Sequence, residues 1–129
     1  MTKKLEFYRC NICGNIVQVM FSGEGNLVCC GHDMERIELK DANADVMLGE
    51  KHSPKLRAES DGYTVYIENH PMTDEHYIML LQAVSDDGIE VKSKYLYPQD
   101  RIEMKSCMQG RISAYSYCNI HGLYKNKEE

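Results

Sequence analysis

The sequence of 129 residues lacks features that would indicate several classes of function. Nowhere do about 18 apolar residues follow one another, so no segment predicts a membrane-spanning helix. An excess of basic residues is also missing, because 15 lysines and arginines face 20 acidic residues and give a formal net charge of -5. This balance disfavours binding to nucleic acid or to an acidic membrane surface. No apolar segment follows the two lysines near the N-terminus, which predicts a soluble protein of the cytoplasm without an export signal.

Long amphipathic helical patterns, internal repeats and low-complexity tracts are absent as well. From residue 62 onward the chain instead contains short strand-like segments, with turn signals at intervals of about 8 to 12 residues. These segments are GYTVYIE, HYIMLLQAV, IEVKSKYLYP, RIEMKSCM and RISAYSYC. Between the second and the third, the SDDG sequence at residues 85–88 predicts a hairpin turn. The pattern predicts an antiparallel β-sandwich or barrel.

Four of the six cysteines lie within the first 38 residues: Cys10, Cys13, Cys29 and Cys30. In a reducing cytoplasm, cysteines are metal ligands or buried apolar residues more often than a disulfide framework. Residues 16–21 are strand-like and residues 22–26 are glycine-rich, which predicts a hairpin that folds the two cysteine pairs against each other. Four thiolates around one ion form a tetrahedral site typical of zinc or a single iron. The bound metal would stabilise a segment that is too small for a core of its own.

The identity of this first metal is left open by the residues alone. Zinc would make the unit structural, whereas iron would make it a one-electron carrier. The adjacent Cys29 and Cys30 depart from the Cys-x-x-Cys of ordinary zinc ribbons and would distort a tetrahedron. His32 is interpreted as a surface-loop histidine, because four sulfurs already complete the site. Cys107, in a strand-like segment without a histidine nearby, is interpreted as a small apolar packing residue.

A polar and charged stretch over residues 38–54 predicts a linker or loop that leads into a second unit. This unit holds four histidines at the edges of strands or in loops, and a cysteine three residues before the last of them. They are His52, His70, His76, His121 and Cys118. Each histidine alone would more often be exposed or hydrogen-bonded. Together with the thiolate they suit iron better than zinc, since zinc closes at four ligands and five donors leave an octahedral ion one open position.

The order of motifs resembles desulfoferrodoxin, the family of two-iron superoxide reductases, over essentially the whole chain. The motifs are Cys-x-x-Cys, Cys-Cys-Gly, Glu-Lys-His, His-Pro-Met, Glu-His-Tyr-Ile and Tyr-Cys-Asn-x-His-Gly. The resemblance implies a mainly β fold of two domains. A small desulforedoxin-like metal-bound domain at residues 1–38 is expected to precede an immunoglobulin-like antiparallel β-sandwich at residues 39–129, which is the catalytic domain.

The resemblance also implies two irons per chain and the residues that bind them. A distorted tetrahedral iron is expected at Cys10, Cys13, Cys29 and Cys30. A second iron is expected with His52, His70, His76 and His121 as equatorial ligands and with Cys118 as the axial ligand. Glu50 and Lys51 match the Glu-Lys-His loop of the family. There the glutamate can occupy the sixth position of the oxidised iron, and the lysine assists with the anionic substrate.

The function that the resemblance implies is the one-electron reduction of superoxide to hydrogen peroxide at the ferrous His/Cys site, without release of oxygen. It also implies a rubredoxin-like electron donor and a homodimer. Three alternatives stay open at this point. A zinc-ribbon module fused to a β-sandwich would bind metal without catalysis, and a superoxide dismutase would release oxygen as well as peroxide. A pure electron carrier is the third, although an open sixth position argues against it.

Overall fold

Short antiparallel strands form most of the regular structure in residues 1–127, the part of the chain that this computed structural model describes. The chain divides into two units, Met1–Glu38 and Leu39–Glu129. The predicted mainly β fold is therefore confirmed. None of the helical structure in the described residues is long and apolar enough to cross a membrane.

The first unit contains five short strands in two sheets. They are β1 (Phe7–Arg9), β2 (Ile16–Gln18), β3 (Val28–Cys29), β4 (His32–Asp33) and β5 (Glu35–Ile37). Strand β1 pairs antiparallel with β2 on one side and with β5 on the other, while β3 pairs with β4. The predicted hairpin across residues 22–26 is wrong, because β2 pairs with β1 and not with β3. A tight turn between β1 and β2 allows the two strands to pair. At its end, Gly14 has a positive φ of 83°, and its N–H donates to the Cys10 carbonyl at 2.9 Å.

The second unit contains seven strands in two antiparallel sheets. They are β6 (Lys55–Glu59), β7 (Gly62–Tyr66), β8 (Ile78–Ser85), β9 (Val91–Tyr95), β10 (Glu103–Ser106), β11 (Ile112–Cys118) and β12 (Gly122–Lys125). One sheet has the order β10-β7-β6 and the other has the order β12-β11-β8-β9. Strands β7, β9, β10 and β11 lie within the predicted segments, and β8 extends one residue beyond its segment, to Ser85. The hairpin at residues 85–88 joins β8 to β9 as predicted. Strands β6 and β12 were not predicted.

Apolar side chains from both sheets form one core. Val65 and Met104 come from the three-stranded sheet, and Leu81 and Ala114 come from the four-stranded sheet. Cys118 belongs to the same cluster and is completely buried, so the end of β11 places a sulfur atom in apolar surroundings. Cys107 lies beyond the end of β10 and is exposed, so its interpretation as a packing residue is wrong.

The polar stretch that was predicted to be a linker contains a helix, α1 (Val46–His52). The Asp45 side chain caps it by accepting a hydrogen bond from the Leu48 N–H at 3.2 Å. At the other end, the Ser53 N–H donates to the Gly49 carbonyl at 2.9 Å. Gly49 and His52 are the buried residues of this helix, so α1 presents its last residue to the interior of the second unit.

Candidate metal centres

Two tight turns bring the four cysteines of the first unit together. One is the turn from Cys10 to Gly14, and the other joins β3 to β4, with positive φ values of 54° at Cys30 and 75° at Gly31. Two successive residues with positive φ form the two-residue turn that suits the twist of a hairpin. This turn lets the adjacent cysteines direct both sulfur atoms to the same side. His32 lies in β4 opposite Cys29 and is exposed, so it is a strand residue rather than the predicted loop residue.

The spacing of the sulfur atoms fits a tetrahedral metal site. All four Sγ atoms lie within 4.8 Å of one another, with 3.5 Å between Cys13 and Cys29 and 3.9 Å between Cys29 and Cys30. Thiolates bound at about 2.3 Å to one ion stand about 3.8 Å apart at the corners of a tetrahedron. Cys10 is buried, whereas Cys13 and Cys30 are exposed, so one side of the cluster faces solvent.

The thiols of this cluster differ in acidity for identifiable reasons. Backbone N–H groups of Cys13 and Ile12 donate to the Cys10 sulfur and lower the pKa of its thiol to about 6. Hydrogen bonding to Cys13 and to Cys10 raises the pKa of Cys29 to about 12, and contact with Cys13 raises the pKa of Cys30. Sulfur atoms this close cannot all carry a negative charge unless a cation compensates. The cluster therefore fits a bound metal ion.

A second cluster lies in the sandwich unit and gathers side chains from distant parts of the chain. His52 ends α1, His70 and His76 lie in the loop between β7 and β8, and Cys118 ends β11. The ligand atoms of these four residues lie within 4.8 Å of one another. His121, in the turn before β12, completes the set: its ring centroid lies 4.7 Å from that of His52, and its Nδ1 lies 3.8 Å from the Cys118 sulfur. The structure thus brings together all five side chains that the sequence suggested for this centre.

The ring nitrogens of two histidines are oriented by backbone carbonyls. His52 Nδ1 donates to the Leu48 carbonyl at 2.7 Å, and His70 Nδ1 donates to the Pro71 carbonyl at 2.6 Å. In these tautomers both Nε2 atoms carry a lone pair, yet they lie only 3.0 Å apart. Two lone pairs at this distance repel each other unless a cation lies between them. The His52 and His70 rings are therefore preset to bind a metal through Nε2.

His76 gives a second indication that this cluster binds a metal ion. Its Nε2 atom is buried and has no hydrogen-bond partner among residues 1–127. A buried polar atom without a partner is rare in a native fold, because burial removes its hydrogen bonds to water. A metal ion at the centre of the cluster would satisfy this nitrogen. The donor set of imidazoles and one thiolate fits iron, zinc or copper better than magnesium or calcium.

Burial keeps three of these histidines in the neutral form that binds metals. It is the first cause of a lowered pKa at His52, His70 and His76, and it lowers the pKa of His70 to about 4. The positive charge of Lys51 contributes in the same direction at His52 and His76. Neutral imidazoles with free lone pairs are therefore expected at neutral pH.

We expect the metal-free protein to lose stability as the pH falls from 6.5, the ordinary histidine pKa, to the value of about 4 at His70. Unfolded chains bind protons at these histidines in this range and the folded protein does not, so acid favours the unfolded state. Denaturant unfolding at about pH 7 and pH 5 measures the effect. Glu6 and Glu59 have lowered pKa values, so the stability that these carboxylates contribute is lost only below their ordinary pKa of 4.5. Their contribution therefore changes little between pH 7 and pH 5. Equal stability at the two pH values would contradict the expectation.

Asn119 is a residue of the site that the sequence did not single out. Its Oδ1 accepts a hydrogen bond from the Tyr77 N–H, and its Nδ2 donates to the Glu75 carbonyl, each at 3.0 Å. These two bonds hold the residues on both sides of His76. Asn119 follows Cys118 directly, so one short segment supplies the thiolate and fixes the histidine loop. The sequence feature that could have identified Asn119 is its position between the cysteine and the histidine of the last motif.

Glu50 and Lys51 lie beside the cluster on α1 and are both exposed. The Glu50 carboxylate forms an ion pair of 2.9 Å with Lys127 Nζ, and this contact lowers the pKa of Glu50. Glu50 is therefore turned toward Lys127 and is not part of the tight group of ligand atoms found in residues 1–127. Lys51 precedes His52 and places a positive charge near the histidines.

Comparison with known proteins agrees with both clusters. The family model of the desulfoferrodoxin N-terminal domain matches residues 2–37, and the desulfoferrodoxin model matches residues 44–127. A desulfoferrodoxin homolog of Archaeoglobus fulgidus is 40% identical over 98% of this chain and 99% of that protein. The desulfoferrodoxin of Nitratidesulfovibrio vulgaris is 38% identical over 97% of this chain and 98% of that protein. The crystal structure of the superoxide reductase from Treponema pallidum shares the fold, with a TM-score of 0.73 and 22% identity over 98% of this chain and 100% of that one. With family models and relatives that match nearly its whole length, this chain belongs to the desulfoferrodoxin family.

Proposed function

We propose that this protein is a superoxide reductase, which converts superoxide to hydrogen peroxide by one-electron reduction without release of oxygen. The observation that carries the proposal is the cluster of four imidazoles and one buried cysteine sulfur, since an iron held by these five donors would have room for one more, small ligand such as the substrate. The desulfoferrodoxin family has a four-cysteine iron site and a four-histidine, one-cysteine iron site. Both donor sets are present in this chain.

The proposed ligands of the catalytic iron have different tasks. His52, His70, His76 and His121 are neutral donors, so they leave the positive charge of the metal available to attract an anion. Cys118 is the anionic donor, and its burial in the core means that only a bound cation offsets the cost of its charge. Iron held by these residues would supply one electron to each superoxide, and two protons from solvent would complete the hydrogen peroxide.

Lys51 is proposed to steer superoxide toward the open side of the cluster. It is exposed, it directly precedes His52, and its positive charge lowers the pKa of His52 and of His76. A positive group near an open site raises the local concentration of a small anion. The effect matters in a chain whose overall charge is -5 and therefore repels superoxide.

Glu50 is proposed as a further, carboxylate ligand of the iron that this site would hold. Its carboxylate is engaged by Lys127 in the described structure, so it must first leave that ion pair. Both partners are about half exposed, with side-chain exposures of 55% and 40%. Exposed ion pairs contribute only about 0–1 kcal/mol, so Lys127 does not present a large barrier to this movement.

The electron is proposed to come from a rubredoxin-like donor, with the four-cysteine iron of residues 1–38 as a relay. Exposure of Cys13 and Cys30 supports this role, because a donor can approach the sulfur atoms from solvent. Residues 39–129 would form the catalytic domain. A homodimer in the cytoplasm is the proposed assembly.

Product stoichiometry tests the proposed reaction. The iron-loaded protein is mixed with superoxide and a chemical reductant, and peroxide and oxygen are measured together. A reductase forms one peroxide for each superoxide consumed, with no oxygen from superoxide. A dismutase forms one peroxide and one oxygen for every two superoxide ions. Oxygen formed in that ratio faster than in a protein-free mixture would overturn the proposal, as would a decay of superoxide no faster than in that mixture.

Replacing Lys51 with glutamine is expected to slow the capture of superoxide about 10-fold at low salt, the lower end of electrostatic steering effects. The rate of the variant should also depend less on ionic strength, because less attraction remains to be screened. Pulsed superoxide with the reduced protein measures the second-order rate. Lys105→Gln removes the same charge from β10, near Glu59, and serves as the matched control. An unchanged rate in Lys51→Gln would refute the steering role.

A further inference from the structure

Two residues outside the ligand set hold His52 from the same side. Ser116 on β11 and Tyr124 on β12 are direct cross-strand partners, and both are almost completely buried. The Ser116 hydroxyl donates a hydrogen bond to the His52 carbonyl, across 64 residues of sequence. The Tyr124 ring stacks on the His52 imidazole, with centroids 4.8 Å apart and planes 22° from parallel.

These two contacts complement the hydrogen bond from His52 Nδ1 to the Leu48 carbonyl. Ser116 fixes the backbone of His52, Leu48 fixes one ring nitrogen, and Tyr124 fixes the plane of the ring. With the backbone, the tautomer and the plane all determined, the direction of the Nε2 lone pair is determined as well. His70 differs, since its Nδ1 is bound by the carbonyl of the next residue in its own loop.

The same strand carries Cys118 two residues after Ser116. Residues two apart on a strand point to the same face. The pairing of β11 with β8 is irregular between Tyr117 and Cys118, but the extra residue lies on β8, so β11 presents the Ser116 hydroxyl and the Cys118 sulfur together. The distance between α1 and the thiolate is thus set by β11 itself. This matters because α1 is only seven residues long, too short to keep a fixed position without tertiary contacts.

We propose that the Ser116–Tyr124 pair is a positioning device that aligns the His52 imidazole with the Cys118 thiolate. Neither residue touches the reacting atoms, and both act through His52. The proposal rests on the proposed function only in treating His52 and Cys118 as ligands of one metal. Partners that orient a ligand typically contribute about 10–100-fold to metal affinity.

The proposal predicts different effects on metal binding for loss of the Tyr124 hydroxyl and loss of the Tyr124 ring. Tyr124→Phe keeps the stacked ring and is expected to bind metal about as well as the original protein. Tyr124→Leu removes the flat face and frees the imidazole to rotate. Ser116→Ala leaves the His52 carbonyl without its buried donor, so the end of α1 is expected to shift.

Binding of Co²⁺ to the metal-free protein tests the proposal, with the dissociation constant and the thiolate-to-cobalt absorption band as readouts. Tyr124→Leu and Ser116→Ala are expected to raise the dissociation constant of the His/Cys centre about 10–100-fold and to shift its band. Tyr124→Phe should keep both the dissociation constant and the absorption band of the original protein. Ser113→Ala, on the opposite face of β11, is the matched control for the serine. The four-cysteine centre is unchanged in every variant and gives an internal reference.

Original affinity and an unshifted band in both Tyr124→Leu and Ser116→Ala would overturn the proposal, as would a loss in Tyr124→Phe equal to that in Tyr124→Leu. If Tyr124→Leu does not fold, Tyr124→Met replaces the ring by an unbranched side chain for the same comparison. The measurement uses no superoxide. A protein that binds Co²⁺ as expected and fails to reduce superoxide would therefore refute the proposed function and leave the positioning role intact.

Discussion

Replacing Cys118 with serine is expected to lower the rate of superoxide reduction by more than about 100-fold, since loss of an outer partner of a ligand alone costs about 10–100-fold. Cys118 is the single thiolate among the five donors of the second cluster, and it is fully buried. A hydroxyl at this position stays neutral and donates far less electron density to the metal. The variant should also lose the thiolate-to-iron absorption of this centre.

Two other cysteines provide matched controls for this substitution. Cys13→Ser removes one thiolate from the first cluster, so it should abolish the absorption of the four-cysteine iron and leave the second centre intact. Cys107→Ser changes an exposed cysteine that belongs to neither cluster in the described residues, and it should leave both absorptions unchanged. Iron content, visible spectra and the rate with pulsed superoxide separate these outcomes. Superoxide reduction at the original rate in Cys118→Ser would refute the proposed ligand role.

The Cys13→Ser control also tests the proposed relay. If electrons from the donor pass through the four-cysteine iron, turnover with a rubredoxin-like donor should fall, while a single reduction of superoxide by prereduced protein should not. Equal turnover with and without this iron would leave the first unit with a structural role. The comparison is informative because the two clusters share no residue.

The strands of the sandwich could be predicted where the local sequence carries the information. Alternating apolar residues in β7 and the turn at residues 85–88 are local signals, and both elements formed as expected. Helix α1 was missed because its seven residues lie in a polar stretch. Its stability comes from the Asp45 cap and from the packing of Gly49 and His52, which depend on the folded unit.

The ligands could be predicted because metals restrict the type and spacing of their donors. Cys-x-x-Cys and the final Cys118 and His121 are visible as motifs, even though their partners lie far away in sequence. Strand pairing has no comparable signal, which explains the wrong hairpin across residues 22–26. Ser116 and Tyr124 look like ordinary strand residues, and only the register of β11 against β12 places both on His52.

Replacing Gly49 with alanine is the second change for which we expect a large effect. An added Cβ would lie 2.1 Å from the Ala42 carbonyl oxygen and 2.9 Å from its carbonyl carbon. Both are backbone atoms, so a side-chain rotation cannot relieve the clash. Overpacking of this kind costs about 1–3 kcal/mol and sometimes more. The helix must move, and it carries His52 three residues later.

Two effects of opposite sign meet in Gly49→Ala, and their magnitudes decide the outcome. Alanine favours an exposed helix by about 1 kcal/mol over glycine, so helix propensity alone predicts a more stable protein. Packing against Ala42 predicts a less stable one that binds less iron at the second centre and keeps the four-cysteine iron. Gly25→Ala, where an added Cβ meets nothing within 4 Å, is the control. Denaturant unfolding and iron content measure both effects. A stabilised variant with full iron would contradict the expectation, because it would show that the backbone around Ala42 shifts to accommodate the added methyl group without loss of stability.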